Sequence, residues 1–309
     1  SGGVGGGGRA EGRVPVAGVV PGGALIRGAG EYALGTTPVT RELGPGRYEA
    51  VNVNTPSGRA DFTEALEALR GALPNCGSAL LVVSWFGSDL RCGACRIEPK
   101  VEYATRDAAV MPWSVSGRVR AGCPEIERME ERPVYGGTPA DAAVIEALRA
   151  MAAAGGPGVV YYPFILMEVM PGNGLGDPWS GAADQPVLPW RGRITLEAAP
   201  GRPGSPDGTA AAEAQVAAFF GTCGAADFGI GDGVVSYAGP EEWSYRRFIL
   251  HQAALCAASG VTVDAFCIGS EMRGLTQIRG AGGSFPGVAG LCALADEVRA
   301  LLGPGVQLG

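Results

Sequence analysis

The chain has 309 residues, 46% of them hydrophobic, enough to bury a core in one large domain or two small ones. Its formal net charge is −7, from 24 basic and 31 acidic residues with no basic block, which argues against the clustered Lys/Arg surface that nucleic-acid binding requires. No apolar run approaches the roughly 20 residues that cross a bilayer as a helix, and 52 glycines and 23 prolines demand many turns and long loops.

The opening stretch, SGGVGGGGRAEGR, has almost nothing to bury. Residues 1–14 therefore read as a flexible Gly-rich linker, and without a charged n-region or an apolar h-region they are not a signal peptide. Residues 15–54 (ALIRGAG, EYALGTT, RYEAVNVNT) read as short strands and turns, a β-rich connecting segment. The texture then changes. DFTEALEALRGAL puts Phe62, Leu66, Leu69 and Leu73 on one helical face. SALLVVSWFG follows as a continuously apolar strand, the pattern of a parallel strand covered on both faces, and ends at Gly87-Ser88-Asp89.

The unit repeats. TPADAAVIEALRAMAAAGG predicts a helix with Thr138 as N-cap, Pro139 at its first position and Asp141 at its third. GVVYYPFILMEV is the next buried strand, ending at Met167-Glu168. GTAAAEAQVAAFFG predicts a third helix, leading to a further strand in FGIGDGVVSYA. EEWSYRRFILHQAALCAASG predicts a fourth helix, running into TVDAFCIGSEM, and a fifth over residues 288–302 leads into VQLG, where the chain stops as an excised segment would. Helices alternating with apolar strands imply a parallel α/β architecture. Without the Gly-rich dinucleotide fingerprint, a (β/α) barrel is preferred to a doubly wound sheet. Five strand–helix units fall short of eight strands, so residues 55–309 are expected to form a partial or irregular TIM-type barrel, preceded by the short β-rich segment.

In such a barrel the ligand side is the carboxyl end of the strands. Glu271 lies at one such end, Glu168 at another and Asp89 near a third. Paired carboxylates at one mouth are what glycoside hydrolysis uses, one protonating the leaving oxygen and the other acting as nucleophile or base. Glu168 is the second-carboxylate candidate, with Asp89 and Asp232 behind it. Trp85, Phe86, Tyr161 and Tyr162 adjoin those ends and could stack on sugar rings. The loop MPGNGLGDPWSGAADQPVLPW, carrying Asp177, Trp179 and Trp190, has the length and aromaticity of a lid or a ligand-contacting rim. The candidate substrate-binding residues are thus Trp85, Asp89, Tyr161, Trp179 and Trp190. The plain alternative is that these carboxylates are merely solvated and these aromatics are core. His251, mid-helix beside Ile249 and Leu250, reads as a packed helix residue. Of eight cysteines only Cys92 and Cys95, in CGAC, have a suggestive spacing, and a zinc site would want a second pair or added histidines. No metal and no cofactor are expected.

LVVSWFGSDLRCGACRIEP, WSVSGRVRAGCPEI, VYGGTPADAAVIEALR, YYPFILMEVMPGNGL, QPVLPWRGRIT, APGRPGSPDGTAAAEAQVAAFFG, SYRRFILHQAALCAASG and DAFCIGSEMRGLTQIR together resemble a known domain. It is the TIM-barrel-like domain of the very large "megatron" baseplate proteins of alphaproteobacterial gene transfer agents and related siphophages. GEYALGTTPVT resembles the segment joining that domain to the tail-building part. The resemblance implies a structural component of a virus-like tail tip, assembled in the bacterial cytoplasm and extracellular after release. It implies a homo-oligomer (trimer) around the tail axis, with hub and distal tail proteins and host-surface polysaccharide as partners, but neither nucleic acid nor a membrane span. It also implies a glycoside-hydrolase-like domain that binds or cleaves host glycan, in which Glu271 takes the place of the acid/base glutamate ending the fourth strand of many retaining enzymes. Two departures stand out. Gly269-Ser270-Glu271 replaces the usual Asn-Glu, and the second carboxylate of such a pair usually sits on a later strand. The alternative function is a free-standing bacterial retaining glycoside hydrolase.

Overall fold

The structure, a computed structural model, describes residues 20–25, 30–153 and 156–309. The predicted linker over residues 1–14 lies outside them. Five strands build the main sheet: β1 (Gly22–Leu25), β2 (Ser78–Gly87), β3 (Gly158–Met167), β4 (Ala265–Phe266) and β5 (Gln307–Leu308). They are hydrogen-bonded neighbours in that order and every pair is parallel. Spatial order that follows chain order is the winding of a (β/α) barrel, whereas a doubly wound sheet reverses order at a switch point. The sheet stays open, with β1 and β5 at its edges. The expected parallel α/β architecture is present, and among the described residues the sheet does not close into a barrel. The β-rich connecting segment supplies β1, and a short antiparallel strand, Ile97–Glu98, pairs with Phe86 and Gly87 at the top of β2.

Among the described residues the helices of more than two turns that connect the strands are α1 (Asp61–Ala72), α2 (Asp141–Ala152), α3 (Ala210–Phe220), α4 (Tyr245–Ala258) and α5 (Pro286–Leu302). In α1 the spacing places Phe62 and Leu66 in the core. In α2 the N-cap is Ala140, not Thr138. The Thr138 hydroxyl accepts the Lys100 N–H (3.1 Å) and its carbonyl accepts the Trp113 indole N–H (2.8 Å), so the adjoining segment holds it away from the helix end. The segment FGIGDGVVSYA is not a strand of the main sheet. It forms an antiparallel hairpin, Phe228–Gly231 with Val234–Tyr237, packed against α4. Asp-Gly between two short β runs is a hairpin-turn signal, and Gly233 takes the required positive φ of 72°.

α4 is the central helix. Ser244 caps it by accepting the Arg247 N–H, and twelve of its residues are buried, His251 among them. His251 Nε2 is hydrogen-bonded to the Asp141 carboxylate (2.8 Å), tying α4 to the first turn of α2. The face of the sheet toward these helices is well packed. Ala79, Leu81, Val83 and Trp85 of β2 are buried, as are Val159, Tyr161, Ile165 and Met167 of β3. Leu80, Val82, Tyr162, Phe164 and Leu166 point to the opposite face and are half-buried. No helix of the described residues is long and apolar enough to cross a membrane.

Candidate functional site

The carboxyl end of β3 and β4 gathers six side chains: Tyr162, Phe164, Trp190, Arg191, Ser270 and Glu271. Arg191 is the hub. Its side chain is buried, with the guanidinium 3.8 Å from the Phe164 ring centroid. It donates through Nε to the Ser270 carbonyl (3.2 Å), and through Nη2 to the Ser270 hydroxyl (2.7 Å) and the Tyr162 hydroxyl (3.1 Å). The Tyr162 and Ser270 hydroxyls are themselves hydrogen-bonded. Arg191 Nη2 also pairs with Glu271 Oε2 at 3.1 Å, and the same oxygen accepts the Trp190 indole N–H at 2.6 Å. The Glu271 side chain keeps 53% of its surface and Trp190 46%, so both face solvent at the mouth.

Local sequence makes this approach possible. A Cβ on Gly192 would collide with the Trp190 ring, so only glycine lets the indole fold back toward Glu271. A Cβ on Gly274 would likewise sit against the Ile194 and Gly192 carbonyl oxygens, at 2.5 and 2.9 Å. Glycine there brings the short helix Arg273–Thr276 onto the turn that carries Arg191. Tyr245, at the start of α4, donates its hydroxyl to the Ile268 carbonyl (2.6 Å) and steadies the chain just before Ser270. Glu271 itself has φ 58° and Leu188, two residues before Trp190, has φ 45°. Both lie in the left-handed region that costs L-residues energy, and such strain collects at functional sites.

The loop over residues 168–190 is ordered from within. Asn173 donates to the Met170 and Gln185 carbonyls (2.8 and 2.9 Å) and accepts from the Leu175 and Gln185 N–H groups. Asp177 accepts from the Trp179 N–H and the Ser180 hydroxyl. Burial pushes the Asp177 carboxyl up, but the Ser180 and Trp179 hydrogen bonds and the nearby Arg193 outweigh it and hold it below the usual carboxylate value. Gln185 latches the loop to β2: its Nε2 donates to Asp89 Oδ1 (2.7 Å) and its Oε1 accepts the Leu90 N–H (2.9 Å).

The residues singled out by sequence do not all come together. Glu271 and Trp190 meet at the mouth, in direct contact. Glu168 and Asp89 stand at strand ends as expected, yet both are buried and fully engaged. Glu168 is ion-paired with Lys100 and accepts the Glu127 N–H (2.7 Å). Asp89 takes Arg91 through both oxygens in addition to Gln185. Asp232 sits in the hairpin turn beside Arg149, with 93% of its side chain exposed. Trp179 is half-buried, its indole N–H bonded to the Arg193 carbonyl (2.7 Å) inside the loop.

Trp85 and Tyr161 lie on the helix-facing side of the sheet, away from the mouth. Trp85 has no exposed surface and packs on Phe248, His251 and Trp243 at 5.2, 5.6 and 5.8 Å between ring centroids. Tyr161 stacks on Phe266 (5.6 Å) and donates its hydroxyl to Gln252 (2.5 Å), and burial drives its pKa well up. The reason is strand parity: Tyr162, one residue on, points the other way. Cys92 and Cys95 are buried free thiols, each pushed up to about 12 by burial. Among the described residues no group of His, Cys, Asp and Glu is placed to hold a metal ion.

Arg191, Ser270 and Gln185 were not anticipated. Nothing in local pattern marks Arg191, because its partners come from β3 and from the turn after β4. Chemically, the cluster offers an exposed indole, a half-exposed carboxylate that accepts its N–H, and a buried guanidinium that pairs with the carboxylate.

Residues 243–309, under a quarter of the chain, match the family model of the GTA TIM-barrel-like domain. That span contains α4, β4, α5 and β5, and two of the six side chains at the mouth, Ser270 and Glu271. No curated protein matches the chain.

Proposed function

We propose that the chain is a structural component of the tail tip of a gene-transfer-agent particle, and that its mouth binds a host-surface glycan without cleaving it. The family that residues 243–309 match supports the association with gene transfer agents through its name. On this reading the chain works as a homo-oligomer around the tail axis, a trimer, beside hub and distal tail proteins. It is carried on the particle outside the cell after release.

One observation carries the binding reading. Glu271 is ion-paired with Arg191 and bonded to Trp190, while the two carboxylates best placed to be its catalytic partner, Glu168 and Asp89, are buried in ion pairs of their own. Retention needs a second carboxylate ~5–5.5 Å away and inversion one at ~6.5–9.5 Å, free to act on substrate or water. Binding needs neither. A sugar ring laid on the exposed Trp190 indole would buy apolar contact, and its hydroxyls would donate to Glu271.

The competing reading, a retaining hydrolase with Glu271 as acid/base, draws on the strained φ of 58° at that residue. Release of reducing sugar from host capsule or peptidoglycan separates the two, comparing wild type with Glu271→Gln. The binding reading predicts no release from either protein. Release by wild type that disappears in Glu271→Gln establishes the hydrolase.

A further inference from the structure

Away from the mouth, a cleft of about 410 Å³ opens beside the top of β2. It lies between the hairpin Ser114–Val115 with Arg118–Val119, the end of the hairpin at Tyr237, and the first turn of α4. Arg118, Trp243, Arg247 and Tyr237 form a layered stack in its wall. The guanidinium of Arg247 lies 3.7 Å from the Trp243 ring centroid and 3.9 Å from that of Tyr237, and Arg118 lies 3.9 Å from Trp243. Two guanidiniums that near one centroid must occupy opposite faces of the indole.

Arg247 is only 5% exposed, yet its three hydrogen-bonded acceptors are all neutral. Nε donates to the Ser116 hydroxyl (3.3 Å), Nη2 to the Ser116 carbonyl (2.9 Å) and Nη1 to the Glu242 carbonyl (2.8 Å). A guanidinium has five N–H groups, so one on each terminal nitrogen is left among the described residues. Neighbouring carboxylates are committed elsewhere. Glu242 accepts from the Thr222 and Cys223 N–H groups and the Ser244 hydroxyl, and Glu98 is held by Arg118 at 2.9 Å. Glu241 stands exposed at the cleft and makes no ion pair with Arg247. A buried charge that no carboxylate hydrogen-bonds is costly, and aromatic faces and the nearby Glu242 offset only part of that cost. Burial accordingly pulls the Arg247 pKa below that of an ordinary guanidinium. The adjoining N-terminus of the 14-residue α4 adds a dipole that favours negative charge.

We propose that this cleft is an oxyanion-binding site, in which a carboxylate or phosphate group takes the remaining N–H groups of Arg247, with Arg118 supplying a second positive charge across Trp243. The site is separate from the mouth and does not depend on the function assigned there. It would give the protein a grip on the acidic group of a ligand that the mouth, with its own carboxylate, does not offer.

The test titrates the whole chain at low ionic strength with sodium glucuronate and, separately, with inorganic phosphate, reading heat by calorimetry and tryptophan fluorescence. Saturable binding of at least one anion is expected, weakening as sodium chloride is added. Saturation by glucuronate alone assigns a carboxylate ligand, and by phosphate alone a phosphoryl ligand. Arg247→Lys keeps the charge but loses the planar fork and should weaken binding about tenfold. Arg118→Gln, whose side chain reaches solvent, should weaken it about threefold and remains informative if the Arg247 variant does not fold. No saturable binding of either anion would overturn the proposal, as would affinity unchanged in a folded Arg247→Lys or in Arg118→Gln.

Discussion

Replacing Glu271 once with glycine and once with alanine separates backbone strain from side-chain contact at the mouth. Both variants lose the Arg191 pair and the Trp190 hydrogen bond. With half of the Glu271 side chain in solvent, the ion pair contributes about 0–1 kcal/mol and the hydrogen bond about 1 kcal/mol. The two variants differ in backbone. At φ 58° an L-residue carries about 1–2 kcal/mol of left-handed strain that glycine escapes. Glycine gives back about 0.5–1 kcal/mol through the larger entropy of its unfolded chain. Glu271→Gly should therefore be the more stable variant by about 0.5–1 kcal/mol, leaving it about 0.5–1 kcal/mol below wild type, with alanine about 1–2 kcal/mol below wild type. Urea unfolding followed by circular dichroism measures the difference directly. Both should lose glycan binding equally, because neither has the carboxylate. Alanine as stable as glycine, or more so, would refute the strained backbone at this position.

The two exposed-versus-core tryptophans should part company. Trp85→Ala should cost about 3–5 kcal/mol in urea unfolding, as a buried aromatic does, whereas Trp190→Ala should cost under about 1 kcal/mol and act on ligand binding instead. Lys100→Met strands the buried Glu168 carboxylate and should destabilise by about 3–5 kcal/mol, and adding Glu168→Gln to it should recover part of the loss. Asp177 is held below its unfolded pKa, so its stabilisation is fully present above the unfolded value near ~3.9 and is lost as pH falls through the folded value. Asp177→Asn should lower the urea midpoint at pH 7 and flatten its decline between pH 7 and pH 3.

The main sheet was legible because its signals are local. β2 and β3 are ten-residue apolar runs, each introduced by an amphipathic helix, and the same reading placed Glu168 directly past a strand end, whereas Glu271 lies five residues beyond β4, which stops at Phe266. β1 was read only as one of the short strands of the connecting segment; its place in the main sheet was hidden, since GGAL carries no periodicity and that place comes from pairing with Ser78–Leu81. FGIGDGVVSYA misled as a strand because a hairpin and a strand share the same β-rich composition, and only its central Asp-Gly distinguishes them. At the site, proximity to a strand end was readable but side-chain direction was not. Tyr161 and Tyr162 differ by one step of the pleat, and that step decides between core and mouth. Arg191 was invisible because its role depends on Gly192 and Gly274 letting two distant loops touch.

The claim that the mouth holds a glycan rests most directly on one measurement: equilibrium binding of purified host-surface polysaccharide to the whole chain, wild type against Trp190→Ala. Because the exposed indole provides the stacking surface and its N–H holds Glu271, the substitution should weaken binding by about fivefold or more, given ~1–3 kcal/mol for a lost aromatic stack and charge-assisted hydrogen bond, while urea stability stays close to wild type. Polysaccharide that binds both proteins with equal affinity, or neither, would contradict the account.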